Sequence, residues 1–160
     1  MSDDNALFPL QVFNFQVDFK EDSLGGAGGT GDVTLCSGAF SECTGLEATM
    51  EPKVIKEGGR NYGAVQRAGP VTFATVILKR GMTTTRHLWR WFELVTSKGG
   101  YSYRLSTFIR MYNQKGEVVL TWKLEKAMPI KFKTADLNAK GTEVGVEELH
   151  LAHEGLTLVT

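Results

Sequence analysis

QVFNFQVDFK, residues 11–20, alternates with a period of two: Phe13, Phe15, Val17 and Phe19 fall on one side, Asn14, Gln16, Asp18 and Lys20 on the other. Successive side chains of an extended chain point to opposite faces, so this stretch reads as a strand with one face on a core. The same reading extends along the chain. Residues 33–40 form a strand, followed by a turn at 41–46, and 71–79 (Val71, Thr72, Phe73, Thr75, Val76, Ile77, Leu78) is a strongly β-prone run. Residues 103–112 and 117–125 are two strands joined by Asn113-Gln114-Lys115-Gly116, a four-residue polar loop that suits a hairpin. Ala127-Met128-Pro129-Ile130 reads as a break before a strand, 134–142 as a polar turn region, 143–153 as extended and 156–159 as the last edge.

One stretch changes period. Leu88, Trp91, Phe92 and Val95 recur at i, i+3, i+4 and i+7, the stripe of an amphipathic helix. Thr83, Thr84 and Thr85 offer N-cap hydroxyls, and Ser97-Lys98-Gly99-Gly100 supplies a stop. The expectation is one helix over about 84–97 flanking an antiparallel β-sandwich or flattened barrel, mainly β, in a single domain over 1–160.

Residues 46–69 stand apart. They are rich in charge and poor in large apolar side chains, Pro52 restricts them to an edge or ribbon, and Gly58-Gly59 and Gly63 mark a turn. Residues 64–67 then return as the second arm of a long hairpin. A compact monomer has little use for a projecting arm; a protein that reaches onto neighbours does.

The 160 residues carry 18 basic and 18 acidic side chains, so the formal net charge is zero. That argues against a protein held on nucleic acid by phosphate contacts, and it removes the charge repulsion that opposes dense self-association. The N-terminus is acidic and polar, unlike a secretion signal, and no apolar run approaches the ~20 residues of a membrane helix. Synthesis in the cytoplasm without membrane insertion is expected. Cys36 and Cys43 are too far apart for a CxxC pair and read as buried or half-buried thiols.

No constellation of residues announces catalysis. His150 and His153 lie three apart in an extended segment and diverge, as do the adjacent Glu147 and Glu148. His87 is at the helix start. The glycine-rich run at 25–31 lacks the Gly-Lys-Ser/Thr of a phosphate loop and leads into a strand, so it reads as a hairpin tip. No GxSxG elbow is present. Arg86-His87-Leu88-Trp89-Arg90-Trp91 mixes aromatic and basic residues, but the helical stripe already accounts for Trp91, leaving Trp89 for the sheet or an interface. No catalytic residue, metal or cofactor is expected.

Phe40-Ser41-Glu42-Cys43-Thr44-Gly45-Leu46, Gly58-Gly59, Leu78-Lys79-Arg80-Gly81-Met82-Thr83 and Leu88-Trp89-Arg90-Trp91 follow in an order that resembles the tail tube protein family of contractile phages. Ala127-Met128-Pro129-Ile130-Lys131, Asp136-Leu137-Asn138-Ala139, Glu143-Val144-Gly145-Val146-Glu147-Glu148-Leu149 and His153-Glu154-Gly155-Leu156 continue the resemblance, which runs from about residue 9 to 158. It implies a structural subunit that forms hexameric rings, stacked into a hollow tube inside a contractile sheath. The implied partners are further copies of itself, the sheath protein, baseplate or tube-initiator and cap proteins, and DNA or protein effectors as cargo. The implied destination is a phage tail or a phage-like injection particle. In that setting Lys53, Lys56, Glu57 and Arg60 on the arm are candidates for inter-subunit and inter-ring contact, with register set by charge pairing. Arg86, Arg90, Glu93 and Lys98 on the helix are candidates to face the sheath, and Thr121 and Lys123 to line the lumen. The alternatives are a type VI secretion-like tube protein, an initiator or cap of the same machine, and a small-ligand-binding β-barrel or enzyme.

Overall fold

The computed structural model describes residues 14–21, 40–59, 61–82, 87–96, 104–142 and 144–159. The strand and glycine-rich tip expected between 22 and 39, and Cys36 with them, lie outside these. In chain order the elements are β1 (Phe15–Glu21), β2 (Glu42–Thr44), β3 (Ala48–Met50), β4 (Lys53–Ile55), β5 (Val65–Arg67), β6 (Val71–Phe73), β7 (Val76–Gly81), α1 (His87–Thr96), β8 (Leu105–Tyr112), β9 (Val118–Lys133), β10 (Val146–Ala152) and β11 (Gly155–Leu158). Every pairing among them is antiparallel.

The long strand β9 belongs to two sheets. Its first half pairs with β8 on one side and β11 on the other, and β8 in turn pairs with β1, giving a first sheet β1-β8-β9-β11. Its second half pairs with β10, which leads through β7 to β2, giving a second sheet. The turn from one to the other is built into the backbone. Leu105 and Thr107 of β8 face Ala127 and Leu124 of β9, so β9 carries one extra residue there, and Lys126 takes a positive φ of 49°. This is a β-bulge, which bends a strand without ending it. The break expected at 127–130 is therefore a corner inside one continuous strand. Pro129 fits because it lies opposite Leu151, where the register of β10 shifts and a missing N–H does least harm.

The expected turn at 41–46 is corrected as well: residues 42–44 form an edge strand on β7. The 71–79 run is divided into β6 and β7 at residues 74–75. The hairpin loop at 113–116 forms as expected. Asn113 Oδ1 accepts from the N–H groups of Lys115 and Glu117, both at 2.9 Å, and Gly116 takes a φ of 82°.

The core follows the alternation. Val17 and Phe19 of β1, Val76 and Leu78 of β7, Leu105 and Ile109 of β8, Leu124 and Ala127 of β9, and Leu149 and Leu151 of β10 are buried on facing sides. Phe15 packs half-buried beside them. The helix contributes Leu88, Trp91 and Val95. The Trp91 ring meets Phe19 edge-on at 5.1 Å between centroids, a favourable arrangement for aromatic quadrupoles. One ion pair shares this face: Arg80 and Glu147, both on core-facing positions of their strands and both largely buried, bond directly, with the guanidinium 5.8 Å from the Phe40 ring.

Candidate assembly interface

The arm grows out of the second sheet rather than from a loop. β2 pairs with β7, β3 with β6 in the same unshifted register, and β4 with β5 after a slip of one residue. The three pairs make one ribbon running from Glu42 opposite Lys79 to Ile55 opposite Val65. It leaves the sheet at the Val76 end of β7. Two glycines permit this. A Cβ on Gly45, whose φ is +90°, would collide with the Thr75 carbonyl oxygen, and one on Gly69 with that of Glu51. From Ala48 to Ile55 the ribbon extends about 23 Å at ~3.3 Å per residue. The hairpin is thus as expected, with its base further along the chain, at Ala48 opposite Phe73.

None of the buried core residues comes from 48–73. Instead the arm exposes Met50, Val54, Tyr62 and Val71. Lys53, Lys56 and Glu57 are exposed on it, and Arg60 lies outside the described residues. At its base the Phe73 ring lies 5.3 Å from that of His153, whose Nδ1 is 3.0 Å from the Gly155 carbonyl oxygen. His150 is not near it in role: its Nε2 sits 3.3 Å from Glu148. Among the described residues no His, Cys, Asp and Glu cluster could hold a metal.

The outer face of the first sheet is polar and laced across strands. Asp18 on β1 pairs with Arg110 on β8. The Tyr112 hydroxyl donates to Gln16 Oε1 at 3.0 Å. Lys20 and Lys123 both place their ammonium over the Phe108 ring, at 5.1 and 5.8 Å. Of the two positions read as lumen candidates, Lys123 is thus half-buried over an aromatic ring and Thr121 is buried. Among the described residues β1 and β11, at the two margins of this sheet, each have a strand on one side only.

On the helix Arg90 is exposed and Glu93 half-buried, while Arg86 and Lys98 lie outside the described residues. Trp89, 46% exposed, rests on Phe132 of β9 at 5.6 Å and on Phe92 at 5.8 Å, which accounts for the ring that the helical stripe left over. Cys43 is a half-buried free thiol whose pKa is pushed up to about 12 by burial.

At the other end of the second sheet, where β10 begins beside the end of β7, the 134–145 connection encloses an open concavity of about 270 Å³. Its lining combines Ala135, Val144 and Val146 with the charged Lys133, Asp136 and Glu148. A Cβ on Gly145 would come within 2.9 Å of that of Ala135 and 3.2 Å of Met82 Sδ, so the connection is packed tightly onto the end of β7. The His150 hydrogen bond, with Lys79 and Lys133 nearby, holds the Glu148 carboxyl below its ordinary range. Sequence reasoning missed this hollow and Tyr62. The apolar Val144 and Val146, in a segment otherwise polar, were the available signal.

A β scaffold whose residues 48–73 supply none of the buried core carries a ribbon suited to contact with a neighbour. The chain belongs to the T4-like virus tail tube protein gp19 family, whose profile matches residues 11–157. Solved structures agree on the fold. A chain of the anti-feeding prophage baseplate aligns with a TM-score of 0.77 at 22% identity, over 95% of this chain and 96% of that one. A chain of the sheath–tube complex of the extracellular contractile injection system PVC aligns at 0.75 and 17%, over 99% and 97%. Hcp protein aligns less closely, at 0.55 and 11%, over 90% and 91%. No curated protein matches the chain in sequence. The family is one of structural tube proteins, and the chain is a tube subunit of the contractile-tail type; the type VI-like alternative fits less well. Among the described residues no helix is long and apolar enough to cross a membrane.

Proposed function

We propose that the whole chain, 1–160, is a single tail-tube domain without catalytic activity, and that six copies close into a ring whose stacking builds the inner tube of a contractile tail or injection particle. The observation that carries this reading is the ribbon of residues 48–73, anchored in the second sheet yet absent from the core. A surface of that kind gains its stability from a neighbour. Lys53, Lys56, Glu57 and Arg60 set the register of that contact by charge, and Arg86, Arg90, Glu93 and Lys98 are the candidates to meet the sheath.

The first sheet suits the wall of the channel. Its margins β1 and β11 offer edges for pairing across subunits, which turns an aggregation hazard into the ring bond. Six copies of a four-stranded sheet supply about 24 strands, and at ~4.8 Å spacing their circumference is about 115 Å and their diameter about 37 Å. Side chains projecting inward from such a wall leave room for DNA or an unfolded or slender protein effector. The tube begins on a baseplate initiator, ends at a cap and lies inside the sheath of a phage tail or phage-like particle, after synthesis in the cytoplasm. The baseplate and sheath–tube origins of the similar structures support these partners.

Sedimentation and negative-stain electron microscopy of the purified protein over a range of concentrations test the proposal. Hollow rings with sixfold symmetry and stacked tubes are expected. A particle that stays monomeric even with its cognate initiator and sheath contradicts it.

A further inference from the structure

The ribbon and the 134–145 hollow lie at opposite ends of the same sheet. β7 runs from Val76, beside the arm's base, to Gly81, whose partner Val146 lines the hollow. The intervening length is about 17 Å at ~3.3 Å per residue. The arm continues away from the hollow, so a subunit's own arm tip cannot enter its own hollow. A second copy placed head to tail can enter it. Such a contact joins two different surfaces of identical chains and repeats without end, the geometry from which stacks and filaments are made.

The two surfaces also match in kind. The tip carries Tyr62, 95% exposed, in the turn between Gly59 and Gly63, which both have positive φ. An aromatic side chain held fully in water at the end of a long ribbon is costly unless a partner covers it. The hollow, at about 270 Å³, is smaller than the ~300–1,000 Å³ of small-molecule sites and suits one large side chain. Val144 in its lining is 81% exposed and has no cover of its own. In the lining, Asp136 and Glu148 present carboxylates and Lys133 an ammonium, so a phenol hydroxyl meets both an acceptor and a donor. The exposed Lys56 near the tip complements the Asp136 carboxylate. A buried aromatic anchor surrounded by contacts that exclude water is the usual form of an interface hot spot.

We propose that Tyr62 of one subunit seats in the hollow lined by residues 133–136 and 144–148 of a second copy, and that this heterologous contact joins successive rings. The inference rests on the reading of the chain as a tube subunit, and adds the residue that docks and the site that receives it.

The test replaces Tyr62 with the photo-crosslinking amino acid benzoylphenylalanine in the full chain, assembles tubes, irradiates them and maps the products by mass spectrometry. Intermolecular crosslinks into residues 133–148 are expected. In parallel, Tyr62→Ala and Val144→Asp are each expected to raise the concentration needed for tube growth at least 10-fold, while Tyr62→Phe stays within a few-fold of the native protein. Both positions are exposed, so folding is not at issue. Tubes whose crosslinks fall on the helix, on β1 or on the sheath protein overturn this inference and leave the tube reading standing. Tubes that grow equally well from Tyr62→Ala also overturn it. A chain that never assembles overturns both.

Discussion

Removing the arm separates what folds the chain from what assembles it. Replace residues 52–69 by Asn-Gly, a type I′ turn joining Glu51 to residue 70, and change Pro70 to Thr so that the closing N–H is present. Glu51 and Pro70 already face each other, with the Glu51 N–H donating to the Pro70 carbonyl oxygen at 3.1 Å. Among its described residues the deleted stretch contains none that is buried, and only Ile55, Val65 and Gly69 are even half-buried. Shortening the connection from about 18 to about 2 residues lowers the closure cost by about 2 kcal/mol, at ~0.6 per doubling. Loss of the β4–β5 pairing offsets part of this, since an isolated two-stranded hairpin is marginal by itself. The net change stays within about 2 kcal/mol, and the melting temperature within about 8 °C of native in either direction. Calorimetry measures the first quantity and electron microscopy the second: a cooperative transition is expected together with the loss of stacked tubes. Loss of cooperative unfolding would show that the arm is part of the fold. Tubes of ordinary length and diameter would show that it is not the element that joins subunits.

Three further outcomes follow from the fold. Glu147→Ala removes one charged hydrogen bond from the largely buried Arg80 and should cost about 1–3 kcal/mol in denaturant unfolding, whereas replacing both by Met should be close to neutral; equal losses in the two variants would refute the pairing. Lys126→Gly should be neutral to about 1 kcal/mol stabilising, because the bulge demands a positive φ there, while Lys126→Val should cost at least about 1–2 kcal/mol, and the reverse ranking would remove the bulge as the cause of the corner. The Cys43 thiol, with its pKa pushed up to about 12, should resist iodoacetamide at pH 8 until the chain unfolds. Because this pKa is raised in the folded state, the stability it contributes is complete below about pH 9 and falls as the pH rises towards 12, a loss that Cys43→Ala should abolish.

Much of this architecture was legible in the sequence because it depends on a period. Val17 and Phe19 are buried where the alternation of 11–20 placed them, and Leu88, Trp91 and Val95 where the helical stripe did. The arm was legible from what it lacks, large apolar side chains. Features set by long-range pairing were not. Residues 42–44 are a strand because β7 offers an edge, and nothing local marks them. The continuity of β9 through Pro129 depends on register shifts against two partner strands, so a proline that locally reads as a break becomes a corner. The core-facing parity of Arg80 and Glu147 was visible in the sequence, but their mutual distance was not. The hollow under Val144 required the two ends of one connection and the start of β10 to come together.

Helical reconstruction of the assembled tube by cryo-electron microscopy, at a resolution that traces strands, tests the central claim most directly. The account predicts sixfold rings with β1 and β11 of adjacent subunits at the ring joint, the polar face of Asp18, Arg110 and Lys123 towards an open channel, and the 48–73 ribbon crossing to the next ring. A solution of monomers in the presence of initiator and sheath, or a tube whose channel is lined by the helix, would contradict it.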